Sequence, residues 1–283
     1  MKKLESLRSL AWVLRDLVRD YRVGATSQEV QRLLAMQYRA SLLPLSFEDV
    51  GFRKFSQFDE DGILLYIFSK IGAKSRRVLE MCAGIGRECM ATNLIVNHGW
   101  EGLLFEGDAK NVASALNFFR NNNDSFSIPP KVVQAWLTAE TLNEAVRSNG
   151  FEGDIDLFSL DVDGNDYWFW KALDVVSPRV CVIETNSCIP TAMSVTSPYD
   201  PNFRMNSAFH SASLGAIVKL GKEKGYRLIG TNRAGFNVFM MRNDVGQDHF
   251  PEITAEQAHN NRFVRAGQAK KWEKRKDYPW QEV

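Results

Sequence analysis

Three acidic residues stand close together where an apolar stretch of the sequence stops. The segment "LFSLDVDGNDYWFWKAL" (157–173) leads from apolar residues into Asp161, Asp163 and Asp166 and continues with an aromatic, helix-like stretch. Neighbouring carboxylates repel one another unless a cation or a polar ligand lies among them. The pattern therefore predicts a ligand-binding or catalytic site at this point of the chain.

Short apolar runs alternate with helical stretches from Arg77 onward, which is typical of a parallel sheet with crossover helices. The predicted strands are 77–81, 102–106, 131–137, 156–161 and 179–184. The predicted helices lie near 87–97, 109–121, 141–148, 166–174 and 208–224. Two last strands, 226–231 and 236–242, are separated by "NRAG" and predict an antiparallel hairpin. The expected fold is a Rossmann-like α/β sheet of seven strands, with five parallel units and a C-terminal antiparallel hairpin.

The ends of these strands matter most, because ligands of open α/β sheets bind outside the carboxyl ends. The first strand ends in "LEMCAGIGRE", which places Glu80, Cys82, Gly84 and Gly86 at the turn into a helix. Glycines let a ligand approach the backbone, and a helix start offers free N–H groups. The dinucleotide pattern G-x-G-x-x-G is incomplete, because Cys89 stands three residues after Gly86. The turn is a candidate cofactor site.

A second candidate carboxylate, Glu106, ends the next strand and is followed by Gly107 and Asp108. A carboxylate in this place can accept hydrogen bonds from both hydroxyls of a ribose, which suits a nicotinamide cofactor and S-adenosylmethionine equally. The alternative is a surface acid that opens a loop. Thr138 follows the third strand, where such folds contact an adenine ring; this assignment rests on position only.

Composition and charge narrow the function classes. The 283 residues contain 35 Lys and Arg against 34 Asp and Glu, so no overall field attracts nucleic acid. Charges interrupt every apolar stretch near the start, which predicts neither a leader nor a membrane span, and we expect a cytoplasmic protein. The four cysteines form no C-x-x-C pair and are predicted to be reduced thiols rather than zinc ligands.

Three regions are predicted along the chain. Residues 1–50 form a helical extension with helices over 3–21 and 28–41, the second capped by Ser27, and this pair docks on the main domain or on a second subunit in a homo-oligomer. Residues 51–245 form the α/β domain. Residues 246–283 are polar and basic, and are either a solvated helix or an arm laid over the domain.

Several segments together resemble the FkbM-like group of class I S-adenosylmethionine-dependent methyltransferases. They are "FSQFDEDGILLYIFSKIG" (55–72), "LEMCAGIG", "FEGD", "SLDVDGNDYWFWKAL", "VIETNS", "SPYDPNF" and "LGKEKGYRLIGTNRAGFNVFMMR", within about residues 50 to 245. The resemblance implies the seven-stranded methyltransferase sheet, S-adenosylmethionine as cofactor, and O-methylation of a sugar or hydroxylated small metabolite. Cys82 departs from the family pattern, in which a glycine follows the acid by two residues.

The resemblance also implies site residues. Those expected to bind the cofactor are Gln57, Glu80, Cys82, Gly84, Gly86, Glu106, Gly107, Asp108, Thr138 and Asp161. Asp161 and Asp163 would face the methyl-bearing sulfonium and the acceptor, and His210 or Asp163 would act as the base. Those expected to bind the acceptor are Asn165, Tyr199, Asp200 and Arg204, although the last three would equally serve to hold their loop in place.

Adjacent strand ends also suggest a metal. Asp161, Glu184 and Asn186 would supply oxygen ligands of the kind that Mg²⁺ prefers, and a bound cation would lower the pKa of the acceptor hydroxyl. Asp and Asn also cap helices and turns routinely, so the residues alone leave the metal open.

Two other functions remain as alternatives. One is a non-catalytic S-adenosylmethionine-binding or scaffolding protein, which would follow if Cys82 weakens cofactor binding. The other is a nicotinamide-dependent oxidoreductase, which the incomplete glycine pattern and the acidic end of the fourth strand disfavour. A nucleic-acid methyltransferase is not expected, because the chain lacks a basic footprint and an N-P-P-Y motif.

Overall fold

The computed structural model describes residues 21–203 and 209–283. The predicted helix over 3–21 and Arg204 therefore lie outside the described residues, apart from Tyr21. The chain divides into two compact units, with the boundary between Leu42 and Leu43. The three predicted regions, and self-association through the N-terminal helices, stay predictions.

Helix α1 (Tyr21–Ala40) belongs to the first unit. The prediction that Ser27 caps this helix is wrong, because the helix already runs through it. Ser27 Oγ instead accepts a hydrogen bond from Gln31 Nε2 at 3.4 Å, one turn later. A serine that bonds along its own helix face is tolerated in a helix interior, and no proline interrupts residues 21–40. The end of the helix ahead of Pro44 is as predicted.

A mixed sheet forms the centre of the second unit. Its strands and the small additional ones are β1 (Arg77–Met81), β2 (Glu101–Glu106), β3 (Lys131–Gln134), β4 (Gly153–Leu160), β5 (Val176–Glu184), β6 (Val195–Thr196), β7 (Tyr226–Thr231), β8 (Asn237–Arg242) and β9 (Gln281–Glu282). The seven-stranded order is β3-β2-β1-β4-β5-β8-β7. Strands β1 to β5 pair in parallel, and β8 runs antiparallel to both β5 and β7. The predicted five parallel units and hairpin are confirmed, and this is the seven-stranded methyltransferase sheet.

Helices cover the sheet and lead chain segments to its carboxyl edge. They are α2 (Phe47–Val50), α3 (Glu60–Ile71), α4 (Met90–His98), α5 (Ala109–Asn121), α6 (Leu142–Ser148), α7 (Asp166–Ala172), α8 (Leu214–Glu223), α9 (Ala255–Ala258) and α10 (Arg262–Lys271). Strands β4 and β5 are buried over most of their length, as a parallel sheet with helices on both faces requires. No helix of the described residues is long and apolar enough to cross a membrane.

The last thirty residues, 254–283, form an arm against the carboxyl edge of the sheet, and we call them the C-terminal arm. Within α10, Val264 is only 1% exposed, and Gln268 Nε2 donates to the carbonyls of Ser187 and Ile189, each at 3.2 Å. Its last strand, β9, pairs with β6 in a separate two-stranded sheet. Of the two predicted alternatives for this segment, the structure contains the arm.

Candidate active site

Two cavities adjoin at the carboxyl edge of the sheet and share Cys82 and Asp163. The apolar cavity, of about 200 Å³, is lined by Met81, Cys82, Phe105, Glu106, Gly107, Ala135, Trp136, Leu137, Val162, Asp163, Asn165, Phe169, Pro201 and Phe203. The polar cavity, of about 420 Å³, is lined by Gln57, Phe58, Cys82, Glu88, Asp161, Asp163, Glu184, Thr185, Asn186, Cys188, His210, Phe236, Lys271 and Arg275. The strand ends that the sequence singled out thus meet in one crevice.

The turn after β1 is built on a buried carboxylate. Glu80 accepts hydrogen bonds from the backbone N–H groups of Met90 (3.0 Å) and Ala91 (2.7 Å) and from the Cys89 thiol (2.9 Å). Burial raises the pKa of Glu80, and these donors act against that rise. Glu80 lines neither cavity. The structure therefore places it beneath the start of α4, where it holds the turn rather than a ligand.

Cys82 occupies the position at which the two cavities meet. Its φ of +68° lies in the left-handed region that favours glycine, and its side chain is exposed. Loss of hydration in the crevice, together with the carboxylates of Glu106 and Asp161, raises the pKa of the Cys82 thiol. The thiol is therefore protonated at neutral pH and is not a nucleophile. Gly84 and Gly86 follow with φ values of +53° and +73°.

Glu106 is the carboxylate of the apolar cavity. It is buried at the end of β2, where Oε2 accepts from Gly84 N and Oε1 from Asp108 N, both at 2.8 Å. Oε1 also accepts a long hydrogen bond from Asn111 Nδ2 at 3.4 Å, so the lone pair that remains for a ligand in the cavity is chiefly that of Oε2. Gly107 lets the Trp136 ring approach, since a Cβ there would lie 2.7 Å from its Cε3.

Five predicted cofactor residues line neither cavity, namely Glu80, Gly84, Gly86, Asp108 and Thr138. Asp108 caps α5 by accepting hydrogen bonds from the backbone of residues 110 and 111. Thr138 pairs with Thr141 at 3.2 Å in the turn before α6. Trp136 and Leu137 form the cavity wall in place of Thr138. In the sequence, Trp136 near the end of the predicted strand "KVVQAWL" (131–137) could have indicated this wall.

Three carboxylates come together at the ends of β4 and β5. One oxygen of each of Asp161, Asp166 and Glu184 lies within 4.8 Å of the others. Burial and mutual repulsion raise the pKa of Asp161 to about 8, that of Asp166 to about 6, and that of Glu184 above its ordinary value. At neutral pH the group therefore shares protons or faces a cation.

This group differs from the predicted metal ligands Asp161, Glu184 and Asn186, because it contains Asp166 in place of Asn186. Asp166 is fixed by the N–H groups of Val162 (2.8 Å) and Gly164 (3.0 Å) and belongs to the three carboxylates. Asn186 lines the polar cavity, but its side chain donates to His210 O at 3.1 Å and accepts from Cys188 N at 3.3 Å. The amide thus holds two loops together, and Asp166 takes the third place of the predicted ligand set.

His210 reaches Glu184 through a serine. His210 Nδ1 lies 3.0 Å from Ser211 Oγ, and Ser211 Oγ donates to Glu184 Oε2 at 2.9 Å. The direction of the His210–Ser211 hydrogen bond depends on the tautomer of the ring: a serine that donates to an ionised Glu184 accepts from Nδ1–H and leaves Nε2 unprotonated. Burial and the charge of Arg275 lower the pKa of His210, whereas Asp163 acts in the opposite direction. His210 is therefore neutral at pH 7.

Strained backbone concentrates at this crevice. Four non-glycine residues of the described ranges have a positive φ, namely Arg76, Cys82, Asp163 and Ser211. Cys82 and Asp163 line both cavities, and Ser211 bridges His210 and Glu184. Each such residue costs on the order of 1–3 kcal/mol and persists where its surroundings determine the conformation, which is common at functional sites.

Asn165, Tyr199 and Asp200, three of the residues predicted to bind the acceptor, take part in contacts that hold a loop, and acceptor binding by them stays a prediction. Asn165 lines the apolar cavity, but its amide pairs with the backbone of Asp200, donating at 2.8 Å and accepting at 3.3 Å. Tyr199 donates to Glu140 at 2.7 Å and accepts from Ala139 N at 2.9 Å. Tyr199 and Asp200 line neither cavity. Among the described residues, these contacts match the loop-holding alternative.

The segment before α3 contributes Gln57, one of the predicted cofactor residues, to the candidate site. Gln57 lines the polar cavity. Asp61 is buried and accepts hydrogen bonds from the backbone of Lys54, Phe55 and Ser56 at 2.6 to 2.9 Å, so it fixes this loop from inside. Ser56 Oγ also donates to Asp61 Oδ2 at 3.0 Å and accepts from Asp61 N at 3.2 Å.

Comparison with known proteins found matches among solved structures. No family model matches the chain, and no curated protein matches it. Among solved structures, a S-adenosylmethionine-dependent methyltransferase from Clostridium acetobutylicum ATCC 824 is 10% identical, with a TM-score of 0.41 over 70% of this chain and 92% of that chain. The N-terminal domain of EvdMO1 with SAH bound is 17% identical, with a TM-score of 0.43 over 76% and 96%. An O-methyltransferase from Bacillus cereus in complex with SAH is 15% identical, with a TM-score of 0.41 over 76% and 98%.

Proposed function

We propose that the chain is a S-adenosylmethionine-dependent methyltransferase that acts on an oxygen of a sugar or another hydroxylated small metabolite. The observation that supports this most strongly is the pair of cavities that meet at Cys82 and Asp163. One is apolar with a carboxylate at its edge, which suits a nucleoside. The other contains a neutral histidine beside buried acids, which suits removal of a proton from an alcohol.

The residues of the apolar cavity fit the adenosine part of the cofactor. Glu106 would accept hydrogen bonds from the ribose hydroxyls, chiefly at Oε2, and Trp136 and Leu137 would flank the base. Bound S-adenosylmethionine would supply an electrophilic methyl group next to a positive sulfur. The carboxylates of Asp161 and Asp163 would face that positively charged sulfur.

His210 would take the proton of the acceptor hydroxyl at Nε2. The hydrogen bonds through Ser211 to Glu184 would hold the tautomer of His210 and orient its ring, as the aspartate of a Ser-His-Asp triad does for the catalytic histidine. The positive charge that the ring gains would be stabilised by Asp163 and by Glu184 beyond the serine. Asp163 remains the alternative base.

Mg²⁺ belongs to the proposal as a ligand of the three carboxylates. Asp161, Asp166 and Glu184 would supply oxygen donors, which are the ligands that Mg²⁺ prefers, and their raised pKa values fit a place where a cation would replace shared protons. A bound cation would also lower the pKa of a nearby hydroxyl. Turnover should then stop in EDTA and return with Mg²⁺; turnover that EDTA does not change would contradict the metal.

Calorimetric titration with S-adenosylmethionine and, separately, NADH tests the function. We expect binding of S-adenosylmethionine and none of NADH. Glu106→Gln should weaken it about tenfold or more, because a charged acceptor of two hydroxyl groups is lost. Glu101→Gln is the matched control, since Glu101 starts the same strand on the surface and pairs only with Arg77.

Three results would contradict the proposal or one of its parts. Binding of NADH alone would support the oxidoreductase alternative. Binding of S-adenosylmethionine without turnover in a screen of sugars and hydroxylated metabolites would support the non-catalytic alternative. Equal effects of the two glutamate variants would refute the place that we assign to the ribose.

A further inference from the structure

Two cations of the C-terminal arm line the polar cavity. They belong to the run "KKWEKRK" (270–276), in which Lys271 ends α10 and Arg275 follows the 3₁₀ turn Trp272–Lys274. Lys271 is exposed and Arg275 is half-buried, and both line the cavity; Lys270 and Lys274 are exposed and do not line it.

Both cations lack an acidic partner among the described residues. No carboxylate there forms an ion pair with Lys271 or Arg275, whereas the neighbouring Lys276 pairs with Glu273 at 2.7 Å. Acids of the same cavity, such as Asp161 and Glu184, are arranged around one another and around Ser211 instead. The cavity thus has an acidic wall on the sheet and a separate basic wall on the arm.

The arm holds these cations in place from two sides. Before them, Gln268 is bonded to the loop after β5. After them, Trp280 packs on Phe209 with ring centroids 4.7 Å apart and donates from Nε1 to Arg275 O at 2.9 Å. Phe209 precedes His210 in the chain, so the fixing of the arm and the position of the candidate base are linked.

We propose that Lys271 and Arg275 bind an anionic group of the methyl acceptor, so that the acceptor is a hydroxylated acid such as a uronic acid or a sugar phosphate. This inference rests on the proposed function. The basic wall would take the carboxylate or phosphate through charge-assisted hydrogen bonds. The acceptor is thereby oriented with a hydroxyl towards His210.

Arg275 and His210 line the same polar cavity. The charge of Arg275 lowers the pKa of His210. A bound anion would neutralise that charge and raise the pKa of His210, which would strengthen the base only when the acid is bound. A neutral sugar would leave this cation uncompensated.

The same chemistry has a second source, because the methionine part of S-adenosylmethionine also ends in a carboxylate. The test therefore measures both ligands. The variant Lys271→Met/Arg275→Met removes the basic wall. The control Lys270→Met/Lys274→Met removes two positive charges with the same spacing on the same arm and leaves the cavity unchanged.

Binding of three probes to the protein is measured by calorimetry, with and without S-adenosylhomocysteine: inorganic phosphate, D-glucuronate and D-glucose. We expect the wild type and the control to bind D-glucuronate at least about tenfold more tightly than D-glucose, as a charge-assisted contact provides. The cavity variant should lose this preference, and its affinity for S-adenosylhomocysteine should stay within about twofold of the wild type.

Several outcomes would overturn the inference. A loss of S-adenosylhomocysteine affinity in the cavity variant would assign the cations to the cofactor. Equal losses in the two variants would indicate a general charge effect. No preference for an anionic probe in the wild type, including no binding of any of them, would also refute it. Failure of the wild type to bind S-adenosylhomocysteine refutes the methyltransferase instead, and the probe titrations without it still test the anion site.

Discussion

Replacing Cys82 by glycine should stabilise the protein. Cys82 has a φ of +68°, which for a residue with a Cβ costs roughly 1–2 kcal/mol relative to the right-handed regions. Glycine avoids this cost but loses about 0.5–1 kcal/mol through the greater freedom of the unfolded chain. The exposed thiol contributes little burial that would be lost. The expected net gain is about 0.5–1 kcal/mol.

The gain is measured by urea unfolding, with an unchanged dependence on urea concentration as the condition for comparing midpoints. For a protein of this size it corresponds to a rise of roughly 1–4 °C in melting temperature. Cys82→Ala is the control, because it removes the sulfur and keeps the strained Cβ. It should match the wild type within about 0.5 kcal/mol. Equal stability of the glycine and alanine variants, or a less stable glycine variant, would refute the reasoning from backbone strain.

Two further predictions concern pH and the wall of the apolar cavity. His259 is buried in the C-terminal arm, and burial lowers its pKa from 6.5 to about 4. The unfolded chain therefore binds the proton more tightly than the folded chain. The contribution of His259 to stability is complete above pH 6.5 and falls as the pH falls towards 4, by about 2 kcal/mol at pH 5. Other groups also titrate in this range, so the test is the comparison with His259→Gln: between pH 7.5 and pH 5 in urea unfolding, the wild type and the exposed-site control His249→Gln should each lose about 2 kcal/mol relative to His259→Gln. The same pH dependence in His259→Gln as in the wild type would contradict the assignment. Gly107→Ala should displace the Trp136 ring, because its Cβ would lie 2.7 Å from that ring, and calorimetry should show severalfold weaker binding of S-adenosylhomocysteine. The control Gly267→Ala has open space around its Cβ and should bind S-adenosylhomocysteine as the wild type does. Equal affinities of the two variants would contradict the proposed packing.

The sheet was predictable because its signals are local. Each parallel strand is a short apolar run, and each crossover is a helical stretch of ordinary length, so the strand order follows from handedness and from the terminal hairpin. The errors lie at element boundaries, and the strand predicted over 131–137 already ends at Gln134. Helix α4 begins at Met90 rather than near residue 87, because the left-handed turn around Gly84 and Gly86 delays it. Ser27 reads as a cap by type, yet the surrounding residues continue the helix through it.

The part of the site on the strands was predictable for a related reason. Parallel strands bring their carboxyl ends to one edge, so Glu106, Asp161 and Glu184 meet although they are distant in sequence. Sequence cannot tell whether such a residue faces the ligand or the chain. Glu80 and Asp108 are acids of the expected kind and spacing, and both are consumed by the first N–H groups of the following helix, which need acceptors.

The arm shows where this reasoning fails and why. Its basic run has the composition of a solvated surface, and only the pairing of β9 with β6 and the packing of Trp280 on Phe209 bring Lys271 and Arg275 over the cavity. Contacts of that kind depend on tertiary packing and leave no period in the sequence. The acidic residues of the crevice therefore stand at the ends of the sheet strands, whereas Lys271 and Arg275 stand on the C-terminal arm, which is added to the sheet. An arm can change without altering the sheet, so the choice of acceptor should vary with the arm while the cofactor end of the site stays fixed.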